Sequence, residues 1–335
     1  MPRLGAAVVG CGIYGEVHAR TYAADPRVDL ISVWSRRPER AQAVAAKYGA
    51  GAAASWEEIA ADDRVQLVSV ATPDFAHTEP ALAMLQAGKH LLLEKPMATT
   101  SAECRRILAA ARASGVRLMV NFHNRWHPPL ARAKALIAAG ELGVPVSGYF
   151  RLSDRIEVAT EWLPWAGQSG PEWFLLPHTA DLARWLLGRE ARRVSAMSVR
   201  GVLAARGLDC SDLVQAQVDF GGAICSFESS WILPPSWPGI IDFQIQIQGT
   251  EGRLDIAASE EQLRVSGKRF QTPLVLDFIT EEHPIRDFVT CLLEDREPAC
   301  TGEDGLAVTR LIEAVTQSAR EGRMIDLEPG AKGEE

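Results

Sequence analysis

At 335 residues with 47% hydrophobic side chains, the chain is longer than one core of about 100–200 residues usually organises, so two domains are expected. Its formal net charge of -8 argues against a general affinity for nucleic acid or anionic membrane, since both draw on concentrated Lys and Arg. Cys11, Cys104, Cys210, Cys225, Cys291 and Cys300 show neither C-x-x-C nor Cys/His ligand spacing, so no metal site and no disulfide framework is indicated and a reducing cytoplasm fits. No basic segment leads into a long apolar one at the start, and no run of about 18 apolar residues follows, which speaks against export and membrane insertion.

From residue 4 to 120, short apolar runs at 6–9, 28–34, 67–71, 90–93 and 117–120 alternate with amphipathic helical stretches. Apolar strands separated by helices predict a buried parallel sheet with right-handed crossovers, a doubly wound α/β domain over residues 1–121. Helix starts are marked by the capping boxes Ser55-Trp56-Glu57-Glu58 and Thr100-Ser101-Ala102-Glu103, and Gly88 marks a stop after 81–87. Past residue 122 strands follow one another directly: 213–220, the turn Gly221-Gly222 and 223–229 read as a hairpin. Ile241, Phe243, Ile245 and Ile247 alternate with Asp242, Gln244, Gln246 and Gln248, one apolar and one polar face. Helices at 173–187, 285–293 and 305–319 are expected to cover the apolar face. The second domain, 122–335, is therefore α+β with a large, mostly antiparallel open sheet, and the polar tail 329–335 is expected to fray.

Gly10-Cys11-Gly12-Ile13-Tyr14-Gly15 joins the first strand to the first helix. Glycines at this spacing permit a tight turn, close approach of a pyrophosphate and close helix packing, while the helix N-terminus attracts phosphate. The spacing alone is also that of an ordinary glycine turn; the strand–helix–strand context favours dinucleotide binding. Where an NAD-selective protein places a carboxylate on the ribose diol, the second strand ends in Trp34-Ser35-Arg36-Arg37. Ser35 can donate to a 2′-phosphate, and Arg36, Arg37 and Arg40 can pair with it or stack on adenine, which favours NADP with NAD as the alternative. Solvation of a helix start is the other reading of these arginines.

The fifth strand runs into Glu94-Lys95-Pro96, putting an amine at a strand's carboxyl end, where the nicotinamide half of a cofactor would lie. Lys95 is thus a candidate general acid/base, with a surface lysine before a proline turn as the plainer reading. Pro96 suits a cis bond. Trp162, Trp165 and Trp173 frame a glycine-rich stretch, with Trp165 read as lining the site and Trp173 as core.

These markers together resemble the glucose–fructose oxidoreductase / inositol dehydrogenase / MocA family. They are the glycine loop, Ala71-Thr72-Pro73-Asp74-Phe75-Ala76-His77, Glu94-Lys95-Pro96, Asn121-Phe122-His123-Asn124-Arg125-Trp126-His127-Pro128 and His178-Thr179-Ala180-Asp181, followed by Gly249-Thr250-Glu251-Gly252 and Glu303-Asp304-Gly305-Leu306. The resemblance spans nearly the whole chain. It implies a Rossmann domain, NAD(P) held by the glycine loop, Ala71, Thr72, Pro73, His77, Glu94, Lys95, Pro96, Asn121, Arg125 and Trp165, a substrate cleft between domains, and dimers or tetramers formed through the open sheet. It also implies hydride transfer to or from a sugar or cyclitol, with Lys95 and His178 at the substrate hydroxyls. Asp181 would support them by holding a tautomer or capping the helix.

One departure stands out. In the family's Asp-x-x-x-His-x-x-Asp pattern the first aspartate's place holds Phe174, and Glu172 lies two residues further from His178. An aldehyde, amino-sugar or aromatic semialdehyde substrate is therefore a second expectation, and a non-catalytic NADP-binding redox sensor a third.

Overall fold

The computed structural model describes residues 3–257, 262–267, 270–272 and 281–327. By contacts the chain forms two units, Met1–His123 with Ile279–Leu306, and Asn124–Phe278 with Ala307–Glu335.

In the first unit, β1 (Leu4–Val9), α1 (Ile13–Ala24), β2 (Val28–Trp34), α2 (Pro38–Tyr48), β3 (Gly51–Ala52), α3 (Trp56–Ala61), β4 (Leu67–Val70), α4 (Thr78–Gln86), β5 (His90–Leu93), α5 (Ser101–Ser114) and β6 (Leu118–Val120) follow in turn. All strand pairs are parallel, in the order β3-β2-β1-β4-β5-β6. This is the doubly wound arrangement expected, because strands as apolar as LGAAVV and HLLL are buried on both faces. The brief edge strand β3 carried no sequence signal. Both helix starts are capped as expected: Ser55 accepts from the Glu58 N–H at 3.3 Å and Thr100 from the Glu103 N–H at 3.2 Å.

The second unit carries α6 (Pro128–Ala138), β7 (Pro145–Arg155), α7 (Pro171–Phe174), α8 (Leu176–Leu187), β8 (Arg193–Val199), β9 (Leu213–Asp219), β10 (Ile224–Leu233), β11 (Ile241–Gly249), β12 (Arg253–Ala257), β13 (Gln262–Ser266) and β14 (Phe270–Gln271). Among the described residues its sheet has nine strands in the order β14-β13-β12-β11-β7-β10-β9-β8-β15, with β15 at Ile325–Asp326, and only β7 and β10 pair in parallel. The Gly221-Gly222 turn joins β9 to β10 antiparallel, both glycines at positive φ. Phe150 stacks on Phe227 at 5.3 Å on the inner face, and α8 packs over β7 and β10.

Three expectations change. The helix expected at 173–187 is two, α7 and α8, meeting at Leu175, which itself has helical φ and ψ. The helix expected at 285–293, α9 (His283–Leu293), belongs to the first unit and leaves the second domain's sheet to others. Its apolar face packs on α1, and Arg27, gripping Asp25, donates to Thr290 Oγ1 at 2.8 Å. Periodicity announces an apolar face but not the partner that covers it. A single boundary near residue 121 therefore misses the return of residues 279–306. Within β11, Asp242 is 3% exposed instead of facing solvent, covered by Arg151 at 2.6 Å. The last helix, α10 (Gly302–Glu321), starts in the first unit and runs into the second. The tail at 329–335 lies outside the described residues. Among those described, no helix is long and apolar enough to cross a membrane.

Candidate active site

The carboxyl edge of the parallel sheet is built by continuing its ladder one residue past each strand: the N–H of Ala71 donates to Val9 O, that of Glu94 to Val70 O and that of Asn121 to Leu93 O, at 2.8 to 2.9 Å. Gly10, Ala71, Glu94 and Asn121 thereby stand in one row. At Gly10, φ is 105° and a Cβ would come 2.5 Å from Ala71 O; at Gly15 it would come 1.6 Å from Gly10 O. Both positions demand glycine for packing. Gly12 differs, since no heavy atom lies within 4 Å of where its Cβ would stand. That open space at the N-cap of α1, where main-chain N–H groups face outward, fits the pyrophosphate of a dinucleotide. Ile13 is exposed, and Tyr14 stacks on His123 with ring centroids 6.2 Å apart.

At the end of β2, Arg37 N–H donates to Ser35 Oγ at 3.3 Å. The side chains of Arg36, Arg37 and Arg40 are exposed and make no ion pair among the described residues.

Glu94 and Lys95 are 5% and 6% exposed. One oxygen of Glu94, Oε1, accepts from His18 Nε2 at 2.9 Å and from Asn121 Nδ2 at 2.7 Å. Burial pushes the Glu94 carboxyl up, but these hydrogen bonds with the charges of His18 and Lys95 outweigh it and hold it at about 2. The carboxylate is therefore ionised at neutral pH. Behind it, His18 Nδ1 meets Ser69 Oγ at 2.8 Å and Ser69 meets Tyr22 Oη at 2.6 Å. The Lys95–Pro96 bond is cis. His77 ties two loops together, with Nδ1 2.7 Å from Pro96 O and Nε2 2.9 Å from Thr72 O. Burial pushes its imidazole pKa down, against the pull of those carbonyls. Its ring is 1% exposed, so it shapes the loop that carries Thr72 and Pro73.

In the second unit the sequence-expected residues pair in an unexpected way. Asp181 takes Arg125 in a two-pronged bridge, 2.9 Å from Nε and 2.5 Å from Nη2, with side chains 1% and 8% exposed. The bridge thus joins Asp181 to an arginine that the resemblance places with the cofactor. At His178, the Nδ2 of Asn124 lies 3.3 Å from Nδ1. With the amide donating, Nδ1 accepts and Nε2 carries the proton. No local pattern signals this contact, as 54 residues separate Asn124 from His178. One helical turn before His178, Phe174 packs on Trp165 at 5.9 Å and on Trp231 at 5.6 Å. Trp231 is fully buried, while Trp165 and Trp173 are half-buried, the latter less than the core reading expects. Ser211 Oγ donates to Glu172 at 3.3 Å, which aims that carboxylate at the start of β9.

Residues 4–122 match the oxidoreductase family with the NAD-binding Rossmann fold, and residues 130–255 match the GFO/IDH/MocA C-terminal domain. The chain belongs to this family. It is 28% identical to an inositol 2-dehydrogenase of Acidothermus cellulolyticus, over 96% of this chain and 94% of that one. To a 4-carboxy-2-hydroxymuconate-6-semialdehyde dehydrogenase of a Sphingobium species it is also 28% identical, over 87% and 91%. A levoglucosan dehydrogenase solved with NADH and levoglucosan superposes with a TM-score of 0.87 at 25% identity, covering 97% and 99% of the two chains. The protein is an NAD-binding oxidoreductase of the dehydrogenase and reductase type.

Proposed function

We propose that the protein transfers a hydride between nicotinamide and a sugar, cyclitol or related polyhydroxylated small molecule, with Lys95 as general acid/base, His178 orienting a hydroxyl and Asp181 supporting through Arg125. The observation that carries this reading is Lys95 itself, a buried amine at the carboxyl end of β5 beside an ionised carboxylate. Bound nicotinamide supplies the hydride chemistry; the chain's part is to hold a proton at Lys95 Nζ for the substrate oxygen and take it back in the reverse direction. Similarity to enzymes named for inositol and levoglucosan supports the substrate class.

The cofactor is NADP in preference to NAD, because Arg36, Arg37 and Arg40 stand exposed, with no ion pair among the described residues, where a ribose carboxylate would reject a 2′-phosphate. A Kd for NADPH no tighter than for NADH removes this preference. A homodimer or homotetramer would use the outer face of the nine-stranded sheet, where Met197, Val199 and Ile224 are exposed, 57% or more, amid polar neighbours.

Phe174 between Trp165 and Trp231 favours a second reading, an aldehyde, amino-sugar or aromatic semialdehyde as substrate. Nicotinamide absorbance followed over sugars, inositols, sugar lactones and aldehydes separates the two. Turnover of polyols at kcat/KM above that of every aldehyde supports the first reading, and the reverse ranking supports the second.

A further inference from the structure

We infer that Asn121 orients the nicotinamide by accepting a hydrogen bond at Oδ1 from the cofactor's carboxamide N–H, and that His18, acting through Glu94, fixes the direction in which Asn121 points. This rests on the reading that Asn121 faces the nicotinamide half of the cofactor.

Asn121 is 2% exposed at the row of residues that extends the sheet's carboxyl edge. A primary amide can present either a donor or an acceptor, and here the choice is forced. Glu94 is ionised and only accepts, so the amide must give it Nδ2, at 2.7 Å. The other pole, Oδ1, is buried and has no hydrogen-bond partner among the described residues. A buried carbonyl oxygen left that way costs about 1–3 kcal/mol, and a ligand N–H repays it. Polarity thus selects the ligand group: at this edge Oδ1 suits a donor and repels a carbonyl or carboxylate.

His18 holds the other side of the same carboxylate oxygen. Its Nε2 faces Glu94 and donates whether the ring carries one proton or two, and Ser69 occupies Nδ1. Losing His18 frees Glu94 to turn or to take up a proton. A protonated Glu94 could donate, and Asn121 would no longer be compelled to give it Nδ2. His18 touches neither substrate nor cofactor in this account; it is a positioning residue.

The test pairs variants with a cofactor analogue, measured by equilibrium binding to the full chain. In 3-acetylpyridine adenine dinucleotide, or its 2′-phosphate, a methyl group replaces the carboxamide NH2. The comparator is the natural cofactor, whichever of NAD and NADP binds more tightly. The wild type is expected to bind the natural cofactor about tenfold more tightly than the analogue, the size of one good hydrogen bond. Asn121→Ala should bring that ratio to within about twofold, chiefly by weakening the natural cofactor. His18→Ala should shrink it about threefold, with recovery in His18→Gln, whose amide can still donate to Glu94.

A ratio unchanged in Asn121→Ala while both ligands weaken overturns the hydrogen bond and leaves Asn121 at the nicotinamide by packing alone. If neither affinity moves, Asn121 does not face the cofactor, and the underlying reading falls with the inference. A lower Tm in His18→Ala at constant ratio makes the His18–Glu94 contact one of folding only and removes the role assigned to His18.

Discussion

At the carboxyl ends of β5 and β6 a buried carboxylate is held by two nitrogen donors, backed by a chain through Ser69 to Tyr22. At the turn from α7 into α8, Phe174 instead packs its ring against two tryptophans, Trp165 and Trp231, with centroids 5.9 and 5.6 Å away. Hydrogen bonds in a low-dielectric interior are directional and costly to leave unmade, so the first arrangement accommodates one kind of ligand group. Ring packing is far less directional, and a single replacement such as the phenylalanine at 174 changes what its surroundings prefer while the fold stays intact. A nicotinamide is the same in every relative that uses one. Substrates differ, and the region built from packing is the one that departs from the family pattern.

Three substitutions would break or sharpen this contrast, taken from the largest effect down. Lys95→Ala removes the proposed acid/base and should lower kcat/KM by about 10²–10⁴-fold. The Kd for cofactor should stay within roughly threefold, since the lost contribution belongs to the transition state. Steady-state rates beside a fluorescence titration check both, and unchanged turnover would sink the role of Lys95. In the second unit, Arg125→Met removes both prongs of the bridge from the Asp181 carboxylate, which is 1% exposed. Breaking a buried pair from one side typically costs about 3–5 kcal/mol, read from denaturant midpoints, and Arg125→Met with Asp181→Leu should recover most of it. If the single variant is as stable as the wild type, the pair is not the anchor its geometry suggests.

Glu94 provides the third. Its carboxyl is held at about 2 in the folded chain against an ordinary 4.5, so its interactions stabilise the fold fully above pH 4.5. That contribution is lost as the pH falls from 4.5 toward 2. It is on the order of a few kcal/mol, and Glu94→Gln should flatten this part of the stability–pH curve. An equally steep acid limb in the variant would place the titrating group elsewhere.

What could be read from sequence divides along the same line. The glycine loop, the helix caps and the Gly221-Gly222 turn were legible because each is a local demand, a φ angle or a backbone N–H met within a few residues. The position of Lys95 just past the end of β5 was legible as well, while its chemical role remains a proposal. The bridge between Arg125 and Asp181 and the contact between Asn124 and His178 were not, since each joins residues more than 50 apart through the path of the chain. His18 escaped for a related reason: on α1 it looks like one more interior side chain until β4 and β5 bring Ser69 and Glu94 to its two nitrogens. The misplaced α9 shows the same limit at the scale of a helix.

The smallest expected effect tests that division where local signals are strongest. Thr100 caps α5 by accepting from the Glu103 N–H, and its hydroxyl donates to the Glu103 carboxylate at 2.8 Å. Thr100→Ala removes both and should cost about 1 kcal/mol, with Thr100→Ser retaining nearly all of it. Because α5 lies wholly within the first unit and none of the residues assigned to cofactor or substrate sits on it, kcat and KM should not move. A stability loss confined to Tm, with catalysis intact, is what a purely local device predicts. A fall in kcat would instead mean that the start of α5 helps hold the loop from Lys95 to Thr100, making a capping threonine part of what positions the amine.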